Sequence, residues 1–387
     1  MEYCPHCMHP VQGSQCSLCG GDVAWQGNPP QLPVGTLLSS QSTGHTYQLG
    51  AARGQGGFGI TYIGLDLQNR KRVAIKEYYP VRCSKRTEGV FADPQPGLES
   101  AYAGGMASFL KEAQMLSALE PAPSIVRVYD FFEANHTAYL VMEFIDGEPL
   151  YKKVRREGRI LPKDLLPKLP ALIRDLAQIH KEGVIHRDIS PDNLIWMEDG
   201  SLKLLDFGCA RFMEDGKSMT VLLKHGFAPV EQYQTKGQGP WTDVYALSAT
   251  IYYCLTGVIP PSAVERLDND EIKTLISQGV PIASDQEEAI LWGMTVQPKF
   301  RPMNMEIFAE RLFPELHSSV QNEEPVTPQM QEEQPAVPEV EQPVSDQSQA
   351  QSSFEELISK LQEAKFLFPF LAIFGVLIIL LLLYYMR

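Results

Sequence analysis

The stretch from His186 to Gly208, HRDISPDNLIWMEDGSLKLLDFG, sets His186, Arg187, Asp188, Asn193 and Asp206 around two short apolar runs, NLIWM and LKLL. Runs of that length read as short strands. An isolated Asp or Asn beside one is ordinarily a turn or capping residue. Here Asp188, Asn193 and Asp206 form a close-spaced set of groups suited to holding a proton or a hard metal ion. A long apolar-periodic helix, LPALIRDLAQIHKEGV, leads into the stretch.

Other motifs stand in register ahead of it. LGAARGQGGFGITYIGLD reads as strand, glycine turn and strand, with Gly54, Gly56 and Gly59 in G-x-G-x-x-G order and Gly57 and Phe58 at the tip. ITYIGLD alternates like a strand, so a hairpin lid over a nucleotide fits better than a dinucleotide fold, where a helix would follow. In RVAIKEYYP, Lys76 ends an apolar strand and needs an anionic partner. The helical stretch GMASFLKEAQMLSAL turns Phe109, Ala113, Leu116 and Leu119 to one face with Glu112 at its border. Glu112 is the expected counter-ion of Lys76, holding it toward the nucleotide phosphates. TAYLVMEFIDGEPL then runs from a strand through Glu143, Phe144, Ile145 and Gly147, a hinge whose backbone would bind adenine with Met142 lining the pocket. Residues from Glu77 to Gly105 read as a surface insertion.

Over about Tyr47 to Phe313 this ordered set resembles the eukaryotic-type Ser/Thr protein kinases, and more closely their bacterial branch. The resemblance implies an α+β fold of two lobes, the first mostly antiparallel sheet with one helix and the second mostly helical. It implies ATP with Mg²⁺ or Mn²⁺ and protein substrates, with a second copy of the chain as partner for phosphorylation in trans. Asp188 would accept the substrate hydroxyl proton, Asn193 and Asp206 would hold magnesium, and Lys76 would grip the nucleotide. GFAPVEQY resembles the end of an activation segment with one residue inserted, so that Glu231 pairs with Arg301 of QPKFRP. Asp243, in WTDVYALSATIYYCLTG, resembles the capping Asp that steadies the catalytic loop. Between Asp206 and Glu231, Ser218 and Thr220 are candidate phosphorylation sites, with Arg187 as phosphate partner. Ser190 departs from the pattern, because such kinases usually carry lysine there, where its charge meets the transferring phosphate. Loss of that charge costs rate, or is covered by another cation, or marks a branch with its own solution; the rival function it suggests is a nucleotide-binding pseudokinase acting as a membrane-tethered scaffold.

The flanks differ in composition. Residues 1–27 carry Cys4, Cys7, Cys16 and Cys19 as two C-x2-C pairs eight residues apart, a spacing suited to Zn²⁺ in a segment too small to bury a core. It resembles the zinc ribbons at the ends of many prokaryotic proteins, a structural or docking knob. A ribbon-centred binding protein, with the large domain as carrier, is the rival reading. The odd total of seven cysteines favours a reducing compartment. The catalytic domain is expected over residues 36–313. Residues 314–353, rich in Gln, Glu, Pro and Ser, read as a disordered linker, followed by a juxtamembrane segment at 354–365. Residues 366–386 contain no charge, and 21 residues at about 1.5 Å each match a hydrocarbon core about 30 Å thick. A tail-anchored, single-pass membrane protein with its catalytic domain in the cytoplasm is expected. Residues 314–365 hold 11 acidic and 2 basic residues of a chain whose formal charge is −14, so the folded part is only mildly acidic. Nucleic acid is not an expected partner.

Overall fold

The computed structural model describes residues 2–206, 223–233 and 237–315. Ser218, Thr220, the linker beyond residue 315, the juxtamembrane segment and the apolar span at 366–386 lie outside them. Among the described residues no helix is long and apolar enough to cross a membrane. The chain divides into two units, Met1–Glu324 and Pro325–Arg387, and every described element belongs to the first.

The first strand, β1 (Leu37–Ser39), begins an antiparallel sheet that continues through β2 (Thr46–Gln55), β3 (Gly59–Asp66) and β4 (Lys71–Tyr78). After β5 (Ser84–Thr87), β6 (Phe91–Pro94) and α1 (Glu99–Ala118), strands β7 (Val128–Ala134) and β8 (Thr137–Glu143) complete it in the order β1-β2-β3-β4-β8-β7. Central β4 pairs Lys76 with Thr61 of β3 and Leu140 of β8. Side chains alternate along a strand. Val73, Ile75 and Glu77 therefore bury on one face, and Ala74 and Lys76 turn to the other. The helix α1 lays buried Tyr102, Phe109, Ala113 and Leu116 toward the sheet, while Leu119 ends it half-buried.

The expected insertion is tied to this sheet by its hairpin, β5–β6. The Arg86 guanidinium forks onto the Glu77 carboxylate with both N···O distances at 2.8 Å, and its Nε donates to the Pro30 carbonyl at 2.9 Å. Tyr62 and Tyr139 hydroxyls donate to the same carboxylate at 3.0 and 3.3 Å. Glu77 has no exposed surface. The insertion is thus no loose surface appendage, because a carboxylate facing a core requires a cation there.

The second lobe follows β9 (Gly147–Pro149) with α2 (Leu150–Glu157), α3 (Pro162–Leu165) and α4 (Leu169–Lys181). A hairpin of β10 (Leu194–Met197) and β11 (Leu202–Leu204), which β9 joins, precedes α5 (Pro240–Thr256). Then come α6 (Glu265–Asp268), α7 (Ser284–Gly293) and α8 (Met305–Leu312). Burial around the whole of α5 makes it the centre of this lobe. It ends at Gly257 with φ +76°, where a Cβ would press into the Gly158 carbonyl.

Removing one partner of a buried ion pair typically costs about 3–5 kcal/mol. Arg86→Ala should therefore destabilise the chain by that order in denaturant melts. A change below about 1 kcal/mol, the worth of an exposed pair, would show that the clamp is not formed.

Candidate active site

Asp243, in the first turn of α5, is fully buried. Its Oδ2 accepts the His186 amide at 2.7 Å and the His180 Nε2 at 2.8 Å, and its Oδ1 accepts the Arg187 amide at 2.8 Å. Burial alone would raise its pKa, but the His180 hydrogen bond and charge and the Arg187 amide outweigh it and hold the carboxyl below its ordinary value. Two consecutive amides on one carboxylate leave Arg187 in the left-handed region, at φ +65°. Its carbonyl accepts Gln232 Nε2 at 2.8 Å, which ties this loop to the turn carrying Glu231.

His186 is also fully buried. Its Nε2 lies 2.9 Å from the Leu205 carbonyl and its Nδ1 lies 3.2 Å from the Asp188 amide, so the neutral Nε2–H tautomer satisfies both. Burial pulls its pKa below the usual histidine range, as that tautomer requires. One imidazole thereby joins the loop bearing Asp188 to the residue preceding Asp206. The Asn193 amide fixes Asp188 further, donating from Nδ2 to its carbonyl at 2.8 Å and to its Oδ2 at 3.0 Å.

Lys76 Nζ lies 2.9 Å from Asp206 Oδ1. Asp206 is thus a carboxylate partner of this lysine, and Glu112, the counter-ion expected from the sequence, stands half-buried on α1. Burial would raise the Asp206 pKa, but the Lys76 charge and hydrogen bond lower it. Asp206, like Arg187, has positive φ, +45°. A cavity of about 380 Å³ runs from the hinge, Glu143 through Gly147, past Ala74, Val126, Met142, Ile195 and Leu205 to Asp206. Glu143 itself is held by Lys203 at 2.6 Å. In the β2–β3 hairpin, an added Cβ at Gly54 or Gly56 would meet nothing within 4 Å, whereas at Gly59 it would press into the Glu77 carbonyl. Gly59 thus serves close strand packing, and Gly54 and Gly56 keep the backbone approachable. Gly57 and Phe58 accept backbone hydrogen bonds from Val81 and Tyr79, each at 3.2 Å.

Glu231 and Arg301 form a buried fork, with N···O distances of 2.8 and 3.2 Å, and Thr242 donates to the same carboxylate at 3.1 Å. The residue inserted after Pro229 is taken up in a 3-10 turn, Val230–Gln232. Ser190 is buried, and its hydroxyl accepts a hydrogen bond from Lys224 Nζ at 2.7 Å. Sequence reasoning missed Lys224, since no local pattern links positions 34 residues apart.

The four N-terminal thiols gather as a cluster: all Sγ atoms lie within 4.8 Å of one another, with Cys4–Cys19 and Cys7–Cys16 each at 3.6 Å. Backbone N–H groups of Cys19 and Leu18 pull the Cys16 thiol down to about 6, while burial pushes Cys7 up to about 12. The segment is seated on the hairpin, with Ala51 N donating to Pro5 O at 2.7 Å and Met8 buried against Ile63 and Leu65.

The profile of the protein kinase domain family matches residues 47–362. The chain belongs to that family. Serine/threonine-protein kinase B of Synechocystis sp. is 30% identical over 269 residues, covering 66% of this chain and 42% of the relative. The probable serine/threonine-protein kinase PknB of Bifidobacterium longum is 28% identical over 242 residues, covering 59% and 32%. The chain therefore spans less than half the length of these kinases. Among solved structures, the apo form of PpkA-294 is similar at a TM-score of 0.63 and 32% identity, with 73% of this chain and 99% of that one covered. The two-lobed fold of sheet-rich and helical halves is the kinase fold.

The neutral, buried His186 gives the kinase domain a pH signature. Its folded pKa lies below the unfolded value of about 6.5, so the unfolded chain binds more protons below that pH. Stability should be full above about pH 6.5 and fall below it, with depressed Asp206 and Asp243 adding a further loss below about pH 4. Denaturant midpoints that stay flat from about pH 7 to 5 would exclude a neutral His186.

Proposed function

We propose that this chain is an ATP-dependent protein kinase that transfers the γ-phosphate to serine or threonine hydroxyls. The carrying observation is that Asp188, Asn193 and the Lys76–Asp206 pair are held by one buried network at the catalytic loop, with Asp206 lining the hinge cavity. Hydroxyl specificity is supported by the Ser/Thr kinases among its relatives.

Phosphoryl transfer is mostly positioning and charge neutralisation. Asp188 takes the proton of the attacking hydroxyl, and the hydrogen bonds from Asn193 to its backbone carbonyl and to Oδ2 hold it in orientation. Because Asn193 Nδ2 is committed to Asp188, its Oδ1 would serve as a ligand atom together with the Asp206 carboxylate. An amide oxygen and a carboxylate are the hard donors that Mg²⁺ or Mn²⁺ requires. When bound, that ion neutralises charge on the nucleotide phosphates. Lys76 grips the phosphate oxygens, with Glu112 on α1 as its carboxylate partner. Gly54, Gly56, Gly57, Phe58 and Gly59 cover the phosphates, and the Glu143 to Ile145 backbone binds adenine.

The four thiols take Zn²⁺. Zn–S bonds of about 2.3 Å in a tetrahedron give S···S edges of about 3.8 Å, close to the 3.6 Å spacing of both pairs. The uncharged run at 366–386 anchors the kinase to a membrane with its catalytic domain in the cytoplasm, at the end of a linker that spans on the order of 35 Å as a random coil. Phosphorylation of Thr220 or Ser218, by a second copy, orders the activation segment through Arg187.

With γ-labelled ATP and magnesium, the full chain should label itself, and Asp188→Asn should lower the rate by about 10²–10⁴-fold, the usual worth of a general base. Mass spectrometry should place phosphate within residues 209–230. An unlabelled wild type that still binds ATP would favour the scaffold reading. Elemental analysis should find zinc in the purified chain, and the Cys7→Ser, Cys16→Ser double variant should lose it; equal zinc in both would exclude the four-thiolate site.

A further inference from the structure

We propose that Lys224 supplies the cation that Ser190 withholds, reaching the transferring phosphoryl group from the segment that precedes Glu231. This inference rests on the kinase reading above.

A neutral hydroxyl at position 190 cannot balance charge that develops on the phosphoryl oxygens. The structure brings an ammonium to that place from another part of the chain. Lys224 Nζ lies 2.7 Å from Ser190 Oγ, 3.4 Å from Asp192 Oδ2 and 4.0 Å from Asp188 Oδ2. Its ammonium therefore approaches both carboxylates of the loop that carries Ser190. The other lysine of the site, Lys76, is engaged with Asp206.

The position of Lys224 is also fixed independently of its side chain. Its carbonyl accepts the amides of Phe227 and Ala228, each at 3.0 Å, closing a turn over residues 224–228. Phe227 and Ala228 are buried, and Phe227 meets Tyr253 of α5 edge-on with ring centroids 5.9 Å apart. Within the turn, Gly226 has φ +82°, and a Cβ there would run into Ile259 and the Pro260 carbonyl. The turn is thus wedged against the end of α5, which fixes the backbone from which the Lys224 side chain reaches the site. About a third of the Lys224 side chain remains exposed, and Asp188 is likewise accessible, so substrate can meet both groups. Ser190, buried and acting as an acceptor, orients the ammonium through one hydrogen bond.

In the reaction, the substrate oxygen forms its bond to the γ-phosphorus as the bond to the β-bridging oxygen breaks. The electron pair leaves on ADP, and the hydroxyl proton passes to Asp188. Lys224 stays protonated throughout and donates a hydrogen bond to a γ-phosphoryl oxygen, so no further reactant is needed. A charged donor aimed at developing charge is commonly worth about 10²–10³ in rate.

The test uses the full chain with ATP, magnesium and dephosphorylated casein as acceptor. Lys224→Met should lower kcat by about 10²–10³-fold while the ATP KM and Tm change little. Adding Ser190→Lys to Lys224→Met, or methylammonium to Lys224→Ala, should restore at least about tenfold, because each returns an ammonium to the same place. A Lys224→Met rate within about threefold of wild type would overturn the assignment. So would a loss matched by a fall in Tm or ATP affinity, or a loss that neither rescue relieves. A wild type that transfers no phosphate overturns the kinase reading and this one together, whereas the preceding outcomes overturn only the role of Lys224.

Discussion

The buried Asp243 carboxylate is the interaction on which the catalytic loop depends. It draws in the amides of His186 and Arg187 and the imidazole of His180, so the chain must turn at Arg187 with a backbone conformation that costs energy. The turn delivers His186 into the interior, and His186 hands the constraint on to Leu205. Asp188 and Asp206 are therefore set by one network rooted in α5, a helix buried on all sides. This explains how two carboxylates 18 positions apart hold a fixed relation while the segment between them is a plain hairpin.

Much of this was readable from residue order. The glycine turn, Lys76, the hinge, Asp188 with Asn193, and Asp206 are local patterns, and strand or helix periodicity places each on the right kind of element. The contacts between elements were less legible. Lys76 called for an anion, but strand register and the path of the chain after β11 decide that Asp206, 130 residues away, lies against it. No local pattern marks Arg86 within the insertion as the partner of Glu77. Strand alternation held a usable signal, since Lys76 and Glu77 are adjacent and must face opposite sides, and a buried Glu77 demanded a cation. The seat of the cysteine segment left no trace, because it depends on scattered contacts, Met8 and Tyr3 against the hairpin and the Pro5 carbonyl on Ala51 N.

Ser190 shows how a site can keep its electrostatics while changing the residues that provide them. A lysine at position 190 would move with the catalytic loop under all circumstances. A lysine at position 224 is in place only when its turn is seated against Ile259 and Pro260. Placing the charge there makes the readiness of the site conditional on the packing of a second segment, whereas the proton acceptor stays permanently assembled.

The cysteine segment touches both strands of the glycine hairpin, through Pro5 and Met8, at Ala51 of β2 and at Ile63 and Leu65 of β3. These points lie several residues from the tip. A splint at the root of a two-stranded ribbon stiffens the root and leaves bending to the end. The cysteine segment thereby braces the base of the ribbon at Ala51, Ile63 and Leu65, and open space surrounds Gly54 and Gly56 nearer its tip.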